Sequence, residues 1–200
     1  MVEDDEPLGR QVERTLSGAI REAHFAGSIL RNLAAMAKLD TPGWVVDMAP
    51  LDLVTLVERV VARHQPPARA SGVEIASAVP GAPVIIEADA TLLEQALSNL
   101  VDNAVRYNRP GGHVGVTLDR AADRFVLRVV DDGPGVTDAD MAELGTREFR
   151  SEEARSRRPE GQGLGLDIAG GVVRRLAFEM RFLRSPAGGL GVEIRGPLGP

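Results

Sequence analysis

The chain has 200 residues, 44% of them apolar and 26% charged, with a formal net charge of −6, which fits a globular protein with room for a buried core and roughly one to two domains. The negative balance and an aromatic content of only 4% argue against a nucleic-acid backbone or a base-stacking surface as the partner, so no nucleic acid is expected. Cys is absent, which excludes disulfides and thiolate metal sites; no apolar run approaches the ~18 residues of a membrane span; and Lys38 is the only lysine, so a phosphate loop of the GxxxxGK[ST] kind is excluded.

Residues 11–39 read as one helix in which Leu16, Ile20, Ala23, Gly27, Leu30, Ala34 and Ala37 recur at steps of four and three. That heptad-like seam suits a helical bundle or a homodimer interface; the plainer alternative is an amphipathic helix packed on its own domain. Thr41-Pro42-Gly43 stops it. Leu51 to Arg63 predicts a second helix, with Leu53, Leu56, Val57, Val60 and Val61 on its apolar side and Pro66-Pro67 as its end. Val73–Val79 and Val84–Glu87 predict short strands around a Pro-Gly turn, and Thr91–Tyr107 a strong helix stopped by Asn108, Pro110, Gly111 and Gly112.

Two alternating runs follow, with Val114, Val116 and Leu118 on one face of the first and Phe125, Leu127 and Val129 on one face of the second, which predicts a β-hairpin. Residues 137–160 are polar, Arg-rich and weakly periodic, which marks a long lid-like segment of the kind that carries function. Gly161–Gly165 opens a helix to about Leu176, and Met180–Arg184 and Gly191–Arg195 close the chain as strands on either side of Pro186 and Gly188-Gly189.

Three features carry chemistry. Asn99 and Asn103 lie four apart, so both face one side of their helix, with Leu93, Ala96, Leu97, Leu100 and Ala104 left to pack the other. Asn is a poor residue for a helix interior, and its amide oxygen is a neutral hard ligand that suits Mg²⁺ beside phosphates. Asp131-Asp132-Gly133-Pro134-Gly135 follows a strand; its glycines admit a flat ligand close to the backbone, and a carboxylate at the strand end can accept from an exocyclic amine. Gly161-Gln162-Gly163-Leu164-Gly165-Leu166 opens a helix, where bare N–H groups and the helix dipole favour an anion. Each has a bland reading taken singly: a solvated helix face, a strand-ending turn, a glycine-rich connection.

Taken in order, the three resemble the ATP-binding domain shared by histidine kinases, DNA gyrase and mismatch-repair ATPases, the Bergerat fold. Asn99–Ala104 is similar to that family's N box, Asp131–Gly135 to its G1 box and Gly161–Leu166 to its G2 box. Asn103-Ala104-Val105-Arg106-Tyr107 resembles the NAxKY signature of bacterial sensor histidine kinases, and Glu148-Phe149-Arg150 a reduced form of their F box. The resemblance implies an α+β fold, a two-layer α/β sandwich whose mixed sheet of about five strands is covered on one face by about three helices and preceded by an N-terminal helix. It implies a helical remnant of a dimerisation and phosphoacceptor domain over residues 1–47, its second helix only, and an ATP-binding catalytic domain over residues 48–200.

The same resemblance assigns Asn103 to Mg²⁺, Asp131 to the adenine amine beside Gly133 and Gly135, and Gly161, Gln162, Gly163, Leu164 and Gly165 to the phosphates. Arg106 and Tyr107 line the pocket, and Arg150 is the lid residue for γ-phosphate charge. Hydrolases of the superfamily place a Glu where this chain has Asn99; an amide cannot accept a proton at neutral pH, so γ-phosphate is kept for an incoming nucleophile and Asn99 joins Arg150 as a catalytic residue. The expected reaction passes the γ-phosphoryl group of Mg-ATP to a His and on to a response regulator receiver domain, in the cytoplasm. No acceptor stretch is present: His24 is followed by Phe25, and His64 and His113 sit at a helix end and a strand start. The acceptor helix therefore precedes this chain in a longer protein, or the protein lacks one. The alternatives are a non-catalytic nucleotide-binding or interaction module and an anti-sigma-type serine kinase of the same fold.

Overall fold

The computed structural model describes residues 8–39, 41, 43–144 and 164–199. Helix α1 (Leu8–Leu39) leads through a linker to β1 (Ala49–Asp52), α2 (Leu53–Ala70), β2 (Glu74–Ala78), β3 (Ile85–Ala88), α3 (Ala90–Arg106), β4 (His113–Ala121), β5 (Arg124–Asp131) and the short α4 (Asp138–Glu143). Helix α5 (Leu164–Arg175), β6 (Glu179–Arg184) and β7 (Leu190–Pro197) complete the chain. Among the described residues no helix is long and apolar enough to cross a membrane.

The main sheet has five strands in the order β2-β4-β5-β7-β6, and it is mixed because β2 runs parallel to β4 while the other neighbours are antiparallel. The predicted alternation sets the hairpin register: Val116 pairs with Val129, Leu118 with Leu127 and Leu127 with Ile194, so the apolar positions stack across three strands on one face. That face carries Val114, Phe125 and Val192 as well, and packs against α2, α3 and α5 in one continuous core. On the opposite face Arg128 bridges Asp119 at 2.7 Å and the buried Glu193 at 2.7 Å. The expected two-layer α/β sandwich is the observed one.

Helix α2 departs from its expected limits at both ends. Leu51 and Asp52 form β1, which pairs with β3 in a separate two-stranded sheet, so β2 and β3 do not pair with each other across the Pro-Gly turn. The helix then runs through Pro66 and Pro67 to Ala70. Interior prolines remove backbone hydrogen bonds, but here they fall in the closing turns, where the fully buried Ala68 anchors the helix and its carbonyl accepts from Val73 at 2.9 Å. Tertiary packing overrides the local stop signal.

The seam of α1 is exposed: Leu16 (60%), Ile20 and Leu30 (68%) face solvent. Contact with the α/β domain runs instead through the buried Ala35, with Met36 packed on the core and Asn32 bonded to α3. Past the helix, Arg175 of α5 donates to the Trp44 carbonyl at 2.6 Å and its guanidinium lies 5.9 Å from the Trp44 ring centroid, which ties the linker down.

Asp52 joins the small sheet to α2. Its carboxylate caps the helix by accepting from Val54 N–H at 3.1 Å and Thr55 Oγ1 at 2.8 Å, and it accepts from Val84 N–H at 3.1 Å. Asp52→Ala leaves the cap and the Val84 amide without that acceptor, and a loss of about 1–2 kcal/mol is expected in urea unfolding.

Candidate nucleotide site

Helix α3 brings the first part of the site into place. Asp89 caps it, accepting from Leu92 N–H at 3.0 Å. Leu93, Leu97 and Val101 are fully buried, Ala104 nearly so, and this apolar side fixes the rotation of the helix. Asn99 is buried as well (2% exposed); its Oδ1 accepts from Gln95 Nε2 at 3.1 Å, and its Nδ2 has no partner among the described residues. A buried amide donor without an acceptor is costly, and an anionic oxygen brought to it recovers the loss. Asn103 lies one turn on, half-buried. Arg106 stands in the last turn, and Tyr107 caps it with its N–H on the Asn103 carbonyl at 3.0 Å.

The second part is the turn after β5. Asp131 Oδ1 accepts from Gly133 N–H at 2.9 Å and from Leu190 N–H of β7 at 3.2 Å, which leaves Oδ2 free to accept from a ligand. Burial pushes the Asp131 carboxyl above its usual range; the two backbone bonds pull the other way and the neighbouring Asp132 adds to the rise. The glycines around it are required by space. A Cβ at Gly133 would lie 2.9 Å from Asp131 Oδ1, one at Gly189 would collide with Asp131, and Gly135 (φ +70°) would meet the Gly188 carbonyl. Arg184 clasps the same region from β6, bonding to the Val136 carbonyl at 3.1 Å and to the Asp138 carboxylate.

The third part is the start of α5. Leu164 is its first residue, and Gly165 packs so closely on α3 that its Cβ position lies 3.2 Å from both Asn103 amide atoms. The Asn face of α3 and the N-terminal turn of α5 therefore meet directly. Gly161, Gln162, Gly163 and Arg150 lie outside the described residues, as do Glu148 and Phe149 and the Arg cluster of the expected lid; Asp138–Glu143, at its start, forms α4, which was not predicted.

Several contributors escaped the sequence reading. Gln95 bonds Asn99 and is itself bonded to Asn32; Leu190 and the Gly188-Gly189 turn hold Asp131. Gln95 stands one turn before Asn99 on the same face, which is a signal of a kind, but nothing local places residues 188–190 against residue 131. His64 falls within α2, not at its end, and is buried: its Nδ1 lies 2.8 Å from the Val60 carbonyl and its Nε2 3.1 Å from Asp102 of α3. His113 lies on the surface beside Asp132, 3.1 Å from Nδ1 to Oδ2. Among the described residues no group of His, Asp and Glu gathers as a metal cage.

Asp132 has the reverse environment of Asp131. The His113 backbone N–H bonds to it at 2.6 Å; burial opposes, but the side chains of Asn108 and His113 add further support and its pKa falls to about 2. The stability this contributes is complete above the ordinary carboxylate range near pH 4 and is lost as the pH falls toward 2. Asp132→Asn is therefore expected to cost on the order of 1 kcal/mol at pH 7, with the gap to the parent closing between about pH 4 and 2 in denaturant titrations.

A family model described as "Histidine kinase-, DNA gyrase B-, and HSP90-like ATPase" matches residues 88–200. The sensor-like histidine kinase SenX3 of Mycobacterium tuberculosis is 30% identical over 187 residues, covering 94% of this chain and 44% of that protein. Among solved structures, the mycobacterial sensor histidine kinase MprB is 28% identical with a TM-score of 0.65, covering 76% of this chain and 99% of that one. Full-length ShkA in complex with AMPPNP is 26% identical with a TM-score of 0.73, covering 93% of this chain and 39% of that one. The chain thus spans less than half the length of SenX3.

Proposed function

Because the chain belongs to the histidine kinase-, DNA gyrase B- and HSP90-like ATPase family, we propose that it is the ATP-binding catalytic domain of a two-component sensor histidine kinase. The observation that carries the reading is the meeting of the Asn face of α3 with the first turn of α5, beside a carboxylate held at the end of β5. Mg-ATP supplies the γ-phosphoryl group and the cation that offsets its charge.

In this reading Asp131 accepts the adenine amine on Oδ2, because Oδ1 is already taken by Gly133 and Leu190. Gly133, Gly135 and Gly189 keep side chains away from the base. Asn103 offers its amide oxygen to Mg²⁺, which asks for few protein ligands when phosphates provide the rest. Gly161, Gln162, Gly163, Leu164 and Gly165 carry the phosphates at the head of α5, Arg106 and Tyr107 border the pocket, and Arg150 closes over the γ-phosphate from the lid. Asn99 favours transfer over hydrolysis: an amide whose oxygen is bonded to Gln95 offers no base to a water molecule.

Residues 1–47 then represent the second helix of a dimerisation and phosphoacceptor domain, and residues 48–200 the catalytic domain. The exposed seam through Leu16, Ile20 and Leu30 supports this, since it is left for an acceptor helix or a second copy to cover. The phosphoryl group would pass to a His on that acceptor helix and then to a receiver domain, in the cytoplasm where ATP is available.

Two experiments test the reading. Asp131→Asn keeps an oxygen for Gly133 and Leu190 but cannot serve as a carboxylate. Since burial penalises the charge of Asp131, the variant is expected to be as stable as the parent or more so at pH 7, with the parent catching up as acid protonates Asp131, while affinity for a fluorescent ATP analogue falls at least ~10-fold. Undiminished affinity removes the adenine assignment. In the second, the chain is mixed with labelled Mg-ATP and an acceptor-helix protein. Acid-labile label on the acceptor, lost in Asn103→Ala, is expected; acid-stable label indicates a serine kinase, and no label a binding module.

A further inference from the structure

Three amides form a chain between α1 and the nucleotide site. Gln95 Nε2 lies 2.9 Å from Asn32 Oδ1 on α1 and 3.1 Å from Asn99 Oδ1 on α3. One NH₂ group has two hydrogens, so both bonds form at once. Gln95 also lines a cleft of about 330 Å³ between α1, α2 and α3, with Arg31, Ala35 and Ser98 among its walls, so the Asn32–Gln95 bond is a specific polar contact between α1 and α3 beside an open space.

The two ends of an Asn or Gln amide are alike in shape and opposite in hydrogen bonding, so the partner decides which end faces which way. With Nε2 of Gln95 between two oxygens, Asn32 and Asn99 both present Oδ1 to it, and Asn99 turns Nδ2 away. If Gln95 turned over, its oxygen would need two donors, and both Asn amides would have to invert with it. Asn99 would then present Oδ1 where Nδ2 now stands. The three settings are linked, and an anion against Asn99 favours the arrangement observed, because Nδ2 attracts it and Oδ1 repels it.

We propose that Gln95 is a positioning residue that holds Asn99 as a hydrogen-bond donor toward the phosphates, and that through Asn32 it couples this setting to the seating of α1. The proposal rests on the reading of Asn99 as part of the nucleotide site and adds the regulation of that site. Linkage makes the effect reciprocal: nucleotide strengthens the α1 contact, and α1 strengthens nucleotide binding by the same factor.

The test uses the ¹⁵N-labelled chain, with side-chain amide resonances followed by NMR and AMPPNP with Mg²⁺ as the probe. Without nucleotide, Asn32→Ala is expected to move the Asn99 Nδ2 resonance, although the two residues are joined only through Gln95. With nucleotide, the Asn32 amide of the parent shifts, and Gln95→Met, which keeps length but cannot donate, abolishes that shift while the Asn103 resonances still respond. Asn32→Ala weakens AMPPNP binding by about fivefold. Gln95→Glu preserves shape and loses the donor, so it weakens binding as Gln95→Met does, at a melting temperature that shows each variant folded. An Asn99 resonance indifferent to Asn32→Ala, or an Asn32 shift that survives in Gln95→Met, overturns the relay. If AMPPNP moves no resonance in the parent, the functional reading fails instead, and the nucleotide-free arm still decides the relay.

Discussion

The rotational setting of α3 is the constraint on which the rest of the structure depends. Leu93, Leu97 and Val101 are fully buried and Ala104 nearly so, which sets this side of the helix in the core. With that face in the core, Asn99 and Asn103 are carried to the side where α5 and α1 arrive. Gly165 then allows α5 to close on Asn103, and Gln95 meets Asn32. A turn of the helix by one residue, roughly 100°, would bury different groups and separate the amides from both neighbours. Core packing and site geometry are therefore the same requirement seen from two sides of one helix.

Asp131 and Asp132 show how adjacent carboxylates are given opposite tasks. Asp132 points into a ring of donors from His113 and Asn108 and its charge supports the fold. Asp131 is buried with two backbone donors, and burial outweighs them, so its charge costs stability. A group kept charged-capable at a cost, with one oxygen uncommitted, is what the proposed role of Asp131 in holding a ligand requires. The glycines at 133, 135 and 189 belong to the same bargain: they add nothing to the core and are there because a Cβ would strike Asp131 or the turn beside it.

Helix α1 packs against α2, α3 and α5 but leaves its apolar seam open. That is a poor way to stabilise a helix of 32 residues on its own, but a good way to hold one that must also serve another surface. Beside the packing of Ala35 and Met36, two specific polar contacts tie the junction down: Asn32 on Gln95, and the Trp44 carbonyl under Arg175. Such contacts break and remake with less rearrangement than a packed core, which suits a joint that conveys a setting.

Much was legible in the sequence because it is local. The alternation in 114–118 and 125–129 dictates a hairpin with one buried face, the four-residue spacing of Asn99 and Asn103 dictates a shared helix side, and the DxGxG and GxGxG turns announce close backbone approach wherever they fall. The family could be named from those motifs alone. The errors and omissions came where long-range contacts decide. Pro66-Pro67 did not end α2: they fall in its closing turns, and the helix runs on to Ala70 with Ala68 fully buried. Nothing local named the partner of Val84–Glu87, which is β1. Leu190 supplies Asp131 with a donor only because β7 lies beside β5, fifty-nine positions along the chain. By itself the sequence determined the fold class and which groups are proposed to hold a nucleotide, since residue type and spacing set that chemistry. Only the tertiary structure decided which distant neighbours orient them, because Asn32 of α1 bonds the Gln95 that holds Asn99, and Leu190 of β7 bonds Asp131, and no local pattern encodes a contact made across the fold.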